Sequence, residues 1–159
     1  MIDRHALDHL IEDAAKSRDQ AGRELAEQHR TEQQLQDQIA TLNTYHSEYR
    51  QRLQRAMADG VSLNTIRDYQ QFLRSLDDAI KQTETQLTQQ RRSVVHSRKN
   101  LADRQGKLSS FDTLAERRKH QERSRQARVE QKQSDEFINN AYARKSAANH
   151  AESLAQEDL

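Results

Sequence analysis

The chain has 159 residues, of which 32% are charged and only 33% are apolar, with no cysteine, no proline and three glycines. A globular domain is usually about 45–50% apolar, so this composition excludes a thick hydrophobic core. The missing cysteines exclude disulfides and thiolate chemistry. The charges nearly cancel, to a formal +1, and the abundant Ala, Leu, Gln, Glu, Lys and Arg are good helix formers. The composition therefore favours long helices over disorder.

The first predicted element is a helix over residues of about 4–57. Apolar residues and tyrosine recur there with alternating steps of three and four, the spacing of a coiled-coil seam. The register reads Leu7, Ile11, Ala14, Arg18, Ala21, Leu25, Gln28, Glu32, Leu35, Ile39, Leu42, His46, Tyr49, Leu53, Ala56. Polar residues interrupt the seam at Arg18, Gln28, Glu32 and His46 without shifting its phase.

A turn over 58–64 follows. Gly60 is suited to a left-handed conformation that closes the first helix, and Ser62 or Asn64 can cap the second helix. A connection this short makes the two helices antiparallel neighbours. With the turn centred near Gly60 and Val61, we expect facing residues to have numbers that add to about 121.

The second predicted helix covers residues of about 65–146, with a seam of the same quality. Its register reads Ile66, Tyr69, Leu73, Leu76, Ile80, Thr83, Leu87, Gln90, Val94, Ser97, Leu101, Arg104, Leu108, Phe111, Ala115. The sequence thus predicts an all-α fold with one domain over 1–146, an antiparallel coiled-coil hairpin whose paired part is roughly 75–80 Å long at about 1.5 Å per residue. The second helix overhangs, unpaired after about residue 115, and residues 147–159 form a flexible tail. A dimer of long helices remains an alternative.

The overhang is basic, which could suit an acidic protein cavity, a nucleic acid or an anionic membrane. Its cations are Arg117, Arg118, Lys119, Arg123, Arg125, Arg128 and Lys132, against Glu116, Glu122 and Glu130. Nucleic acid is disfavoured because no aromatic residues are interleaved with the cations. An isolated helix is marginal in water, so a partner would order this segment. A solvated helix with no specific partner is the alternative.

Two groups of apolar residues are candidate docking surfaces. Phe137, Ile138, Ala141 and Tyr142 share one helix face, which either binds a partner or folds back on the rod. Near the turn, four pairs of residues should face each other, because their numbers add to 121. The rings of Tyr45 and Phe72 lie one step from the seam and should be partly exposed. The pairs are Tyr45 with Leu76, Tyr49 with Phe72, Leu42 with Ala79, and Gln38 with Thr83. This group is either an interface or ordinary seam packing.

Enzyme chemistry has little support in the sequence. There is no glycine-rich phosphate loop and no Ser–His–Asp grouping. His5 and His9 have a spacing that could hold a metal, but no third ligand is fixed, so we predict no catalytic residue, no metal and no cofactor. The N-terminus lacks a secretory signal, and no run of 18 apolar residues could insert into a membrane. We expect a cytosolic protein.

Several spaced motifs resemble the FliJ family, small coiled-coil components of the flagellar type III protein export apparatus. They are Tyr45-His46-Ser47-Glu48-Tyr49-Arg50, Gly60, Tyr69-Gln70-Gln71-Phe72-Leu73, Gln131-Lys132-Gln133-Ser134-Asp135-Glu136-Phe137 and Ala143-Arg144-Lys145. The resemblance implies a stalk that inserts into the hexameric export ATPase, promotes ring assembly and hydrolysis, binds the large export-gate membrane protein and recycles export chaperones. It also implies a cytoplasmic location at the inner membrane, at the flagellar base.

The resemblance also implies sites, residue by residue. The set carried over for the export gate is Gln38, Leu42, Tyr45, Tyr49, Phe72, Leu76 and Ala79. The set assigned to the ATPase, which includes basic residues of the overhang, is Arg117, Arg123, Arg128, Asp135, Glu136, Phe137, Arg144 and Lys145. The match is weaker from about Lys81 to Arg128, and residues 146–159 extend past it. The alternative function is a substrate-escort chaperone of a related secretion system that does not act on an ATPase.

Overall fold

The computed structural model describes residues 3–157, and it consists of two helices. Helix α1 runs from Arg4 to Asp59 and helix α2 from Leu63 to Glu157. The chain divides into two compact units, the first ending at Ser109 and the second beginning at Ser110. The prediction of an all-α helical hairpin is confirmed.

The first unit contains the seam of the hairpin, and its register is the one that the sequence predicts. Every position of the two predicted heptad series up to Leu108 is buried or half-buried. The fully buried residues are Leu7, Ala14, Ala21, Leu76, Thr83, Leu87, Val94 and Leu108. Burial of a leucine or valine side chain contributes about 1.5–3 kcal/mol, so these few layers supply most of the apolar stabilisation.

Cross-helix contacts confirm the antiparallel pairing. The guanidinium of Arg104 donates to the hydroxyl of Ser17, with 2.7 Å between Nη1 and Oγ. The ring centroids of Tyr49 and Phe72 lie 4.4 Å apart. The residue numbers of both pairs add to 121, as the position of the turn requires.

The turn forms as its residue types predict. Gly60 adopts φ 78° in the left-handed region, and the amide of Val61 donates to the carbonyl of Ala56 over 3.3 Å. This bond and the left-handed glycine are the features of a Schellman C-cap. The Oγ of Ser62 accepts from the amide of Thr65 at 3.4 Å, so Ser62, rather than Asn64, caps α2.

The end of α2 differs from the prediction. The sequence predicted a helix to about residue 146 and a flexible tail over 147–159, whereas α2 continues to Glu157. The last two residues of the predicted tail lie outside the described residues. Residues 147–157 contain neither glycine nor proline and are rich in alanine. They therefore lack the residue types that end helices. The predicted boundaries of the domain itself stay a prediction.

Candidate partner-binding surfaces

The aromatic patch is the group Gln38, Leu42, Tyr45, Tyr49, Phe72, Leu76 and Ala79, which the turn brings together from both helices. Tyr45 and Phe72 remain 49% and 41% exposed, as their positions one step from the seam predict. Tyr49, on the seam, is half-buried, and its ring packs at a tilt of 50° against Phe72. Such tilted aromatic pairs contribute about 0.5–1.5 kcal/mol beyond the area they bury. The patch is therefore an ordered surface with two accessible rings.

The other members of the aromatic patch differ in accessibility. Gln38 is exposed, whereas Leu42 and Ala79 are half-buried. Leu76 is buried, with 7% exposure, so its side chain supports the patch from within the seam. A partner approaching this side would meet Gln38, Tyr45 and Phe72 first.

Two further residues belong to the aromatic patch by contact. The ring centroid of Tyr69 lies 6.3 Å from that of Tyr49, and the guanidinium carbon of Arg52 lies 4.9 Å from the Tyr49 centroid. A cation at this distance from an aromatic face is attracted to it. Tyr49 is thus held by Tyr69, Phe72 and Arg52 together. The heptad register already placed Tyr69 on the seam, but nothing in the spacing singled out Arg52.

A polar contact crosses the seam beside the aromatic patch. Nε2 of His46 lies 3.0 Å from Oδ1 of Asp77. His46 was a polar interruption in the predicted seam, and the contact satisfies its ring nitrogen with a group from the other helix.

The second unit is marked by the exposure of its side chains and by a basic stretch over residues 117–145. Every residue from Arg125 to Glu157 is exposed. Residues 117–145 contain nine Arg and Lys residues against four Asp and Glu residues. Some cations have neighbours within the helix, such as Lys119, whose Nζ lies 3.4 Å from Oε1 of Glu116. Exposed pairs of this kind contribute little to stability, so the charge stays available to a partner.

The residues predicted to contact the ATPase all lie in this second unit, and all are exposed. They are Arg117, Arg123, Arg128, Asp135, Glu136, Phe137, Arg144 and Lys145. Phe137 and Tyr142 are 75% and 76% exposed, and Ile138 is also accessible. Large exposed apolar side chains on one stretch of helix often mark an interaction site. We refer to residues 117–145 as the basic segment.

Within residues 3–157, no group of three or more His, Asp and Glu side chains could hold a metal ion. His5 and His9 pack edge to face, with ring centroids 5.0 Å apart. None of the described helical stretches is apolar over a length that would cross a membrane.

Comparison with known proteins assigns the chain to a family. Residues 3–147 match the family model described as Flagellar FliJ protein. The Flagellar FliJ protein of Salmonella typhi is 35% identical over 145 residues, which cover 91% of this chain and 99% of that protein. The Flagellar FliJ protein of Escherichia coli (strain K12) is 34% identical over 145 residues, with the same coverage of 91% and 99%. A match that covers almost the whole length of both relatives, on the residues of the helical hairpin, shows that this chain belongs to the FliJ family of flagellar proteins.

Proposed function

We propose that this chain is a non-enzymatic component of the flagellar type III protein export apparatus. In this role it inserts into the export ATPase hexamer, promotes ring assembly and ATP hydrolysis, and links the ring to the large export-gate membrane protein. It acts in the cytoplasm, at the inner membrane beneath the flagellum, and also escorts export chaperones. The observation that carries the proposal is the family match over residues 3–147.

The basic segment is the part that we assign to the ATPase. Its charge favours an acidic cavity, because a low-dielectric channel lined by one sign of charge attracts a ligand of the opposite sign. Its helix is exposed on all sides from Arg125 onward, which suits a cavity that surrounds it. Phe137 and Tyr142 supply apolar anchors, the residue class that carries much of the energy at interfaces.

The aromatic patch is the part that we assign to the export gate. Tyr45 and Phe72 are accessible while Tyr49 and Leu76 hold the surface in place. Interfaces are enriched in tyrosine and phenylalanine at their cores. The alternative, a substrate-escort chaperone of a related secretion system, would use the same rod with other partners and would not act on the ATPase. An assay of ATP hydrolysis therefore distinguishes the two functions.

Hydrolysis by the cognate export ATPase, measured with increasing amounts of the full chain, tests the proposal. Ring formation is followed in the same samples. We expect stimulation of both, and loss of both when the chain is truncated after Ala115. An active ATPase that the folded full chain leaves unchanged would refute the stalk function and favour substrate escort.

Reciprocal point variants test the assignment of the two surfaces. Tyr45→Ala removes an exposed ring from the aromatic patch, and Tyr142→Ala removes the same side chain from the basic segment. We expect Tyr45→Ala to weaken gate binding while ATPase stimulation stays normal, and Tyr142→Ala to do the reverse. Each variant is the matched control of the other, and equal effects of both on either partner would contradict the assignment.

A further inference from the structure

Two polar residues that interrupt the apolar seam, one on each helix, contact each other across it. Gln28 of α1 and Gln90 of α2 occupy seam positions in their heptads. Nε2 of Gln90 donates to Oε1 of Gln28 at 2.6 Å and to the carbonyl of Gln28 at 2.9 Å. We call these two residues the register pair.

Similar contacts occur at other levels of the first unit. Toward the N-terminus of α1, Arg104 donates to Ser17 and, through Nε, to Oδ1 of Asn100 over 3.2 Å. Next to the register pair, Nε of Arg91 lies 3.6 Å from Oε1 of Glu32. Near the aromatic patch, His46 contacts Asp77. Three of the four polar interruptions in the α1 register thus have a partner on α2.

Apolar layers alone specify the register of a coiled coil poorly. A leucine seam repeats every seven residues, so sliding one helix by a heptad restores most of its apolar contacts. At the level of the register pair, a slide of one heptad brings either Leu35 or Ala21 opposite Gln90. The half-buried side-chain amide of Gln90 would then lie against an apolar side chain without its partner. Leaving a polar group unpaired in this way costs more than the pair contributes to stability.

We propose that Gln28 and Gln90 are positioning residues that fix the axial register of α1 against α2 independently of the turn. The aromatic patch depends on this register, because Tyr49 and Phe72 are supplied by different helices. A slide of one heptad would displace these two rings by about 10 Å along the axis. The aromatic patch depends on this register whatever partner it binds.

The experiment distinguishes the effect of the register pair from the effect of the turn, because each is changed with and without the other. The first change is the double substitution Gln28→Leu and Gln90→Leu. The second is an insertion of about ten Gly and Ser residues after Gly60, long enough to permit a slide of one heptad. The four combinations are made in the full chain with spin labels on cysteines replacing Ala26 and Val95. Both positions are exposed, and the chain has no cysteine of its own.

Distances between the two labels report the register. With the native seam, we expect one narrow distance distribution for both turns. With both glutamines replaced by leucine, we expect only the native distance when the turn is unchanged. With the lengthened turn, we expect a second population in which one helix has moved about 10 Å along the axis. The melting temperature of the leucine variant with the native turn should equal or exceed that of the unchanged chain, an outcome that a purely stabilising role excludes.

A matched control carries Gln34→Leu and Gln89→Leu, the same chemical change at exposed positions of the same two helices. With the long turn, this control should keep the single native distance. Two results would overturn the proposal. A native seam that already shows two populations with the long turn would mean that the turn alone sets the register. If the chain with both glutamines replaced by leucine keeps one population, the remaining contacts between the helices fix the register without the register pair.

Discussion

The ring of Tyr49 on α1 packs against the ring of Phe72 on α2, with 4.4 Å between their centroids. The aromatic patch is therefore formed jointly by the two helices, and it exists only where they are paired in this register. The same contact holds the helices together near the turn and orders the surface offered to a partner.

Substitution of Phe72 by alanine should lower the free energy of unfolding by about 2 kcal/mol, because it removes the ring contact with Tyr49 and half-buried apolar area. Chemical denaturation followed by circular dichroism measures the change. Phe137→Ala is the matched control. Phe137 is 75% exposed, and its loss should change stability by less than about 0.5 kcal/mol. Equal losses in both variants would contradict the packing role of Phe72.

Single substitutions in the register pair should change the free energy of unfolding by amounts that do not add in the double variant. Gln90→Leu alone leaves the amide of Gln28 without its partner and should cost about 1 kcal/mol. Gln28→Leu with Gln90→Leu should recover that loss or exceed the stability of the unchanged chain, since an apolar pair fills the same layer. A double-mutant cycle of urea denaturation gives the coupling energy. If the double variant loses as much free energy of unfolding as the two single variants together, the pair stabilises the hairpin and does not specify its register.

Two glycine-to-alanine substitutions should change the free energy of unfolding in opposite directions. Gly60 has φ 78°, where a side chain costs about 1–2 kcal/mol, so Gly60→Ala should destabilise. Gly22 lies inside α1, and apart from its chain neighbours and the nearby backbone of α1, no heavy atom lies within 4 Å of a Cβ added there. Gly22→Ala should therefore stabilise by about 0.5–1 kcal/mol. Thermal unfolding of the two variants in parallel tests the difference, and a shift of the same sign in both would refute it.

The rate of amide hydrogen exchange should differ between two parts of α2. Residues 125–157 are exposed throughout and depend on their own backbone hydrogen bonds, which barely sustain an isolated helix. We expect their amides to exchange roughly 100-fold faster than those between Leu76 and Val94, which lie in the seam. Mass spectrometry of the exchanged chain resolves both regions. Equally slow exchange in the two would mean that another surface covers residues 125–157.

The contact that we propose with the ATPase should weaken with salt. Raising the ionic strength from about 0.1 M to 1 M shortens the screening length from about 10 Å to 3 Å, so stimulation of hydrolysis should need more of the chain. Arg123→Glu with Arg128→Glu should produce the same loss at low salt. Arg23→Glu with Arg30→Glu, an equal charge change at exposed positions of α1, is the control. If the control reduces stimulation equally, net charge rather than the basic segment governs binding.

Periodicity was sufficient to predict the seam and the turn. All heptad positions of both helices lose exposure, because a two-helix seam buries one residue in every three or four. Some residues beside the seam, such as Ser17 and Ala79, are half-buried as well. Gly60 and Ser62 acted as their residue types require, since only a glycine adopts φ 78° at low cost.

Heptad spacing could not predict which residues a long side chain contacts, nor where a helix without a cap or a breaker residue ends. Arg52 joins the aromatic patch through a long flexible side chain that lies over Tyr49, and a register describes backbone positions only. The partners of Gln28 and Ser17 required knowledge of the facing helix at the level of single atoms. The end of α2 was placed too early because residues 147–157 carry no cap or breaker, and the decline of periodicity says nothing about where a helix stops.

The division of the aromatic patch between α1 and α2 also affects which molecules could imitate it. Neither helix carries both Tyr49 and Phe72, so a short synthetic peptide copied from one of them would present only half of the surface. A partner that requires both halves can distinguish a folded chain from an unfolded or half-synthesised one. Recognition of the patch would thus confirm, before any further step, that the hairpin has closed.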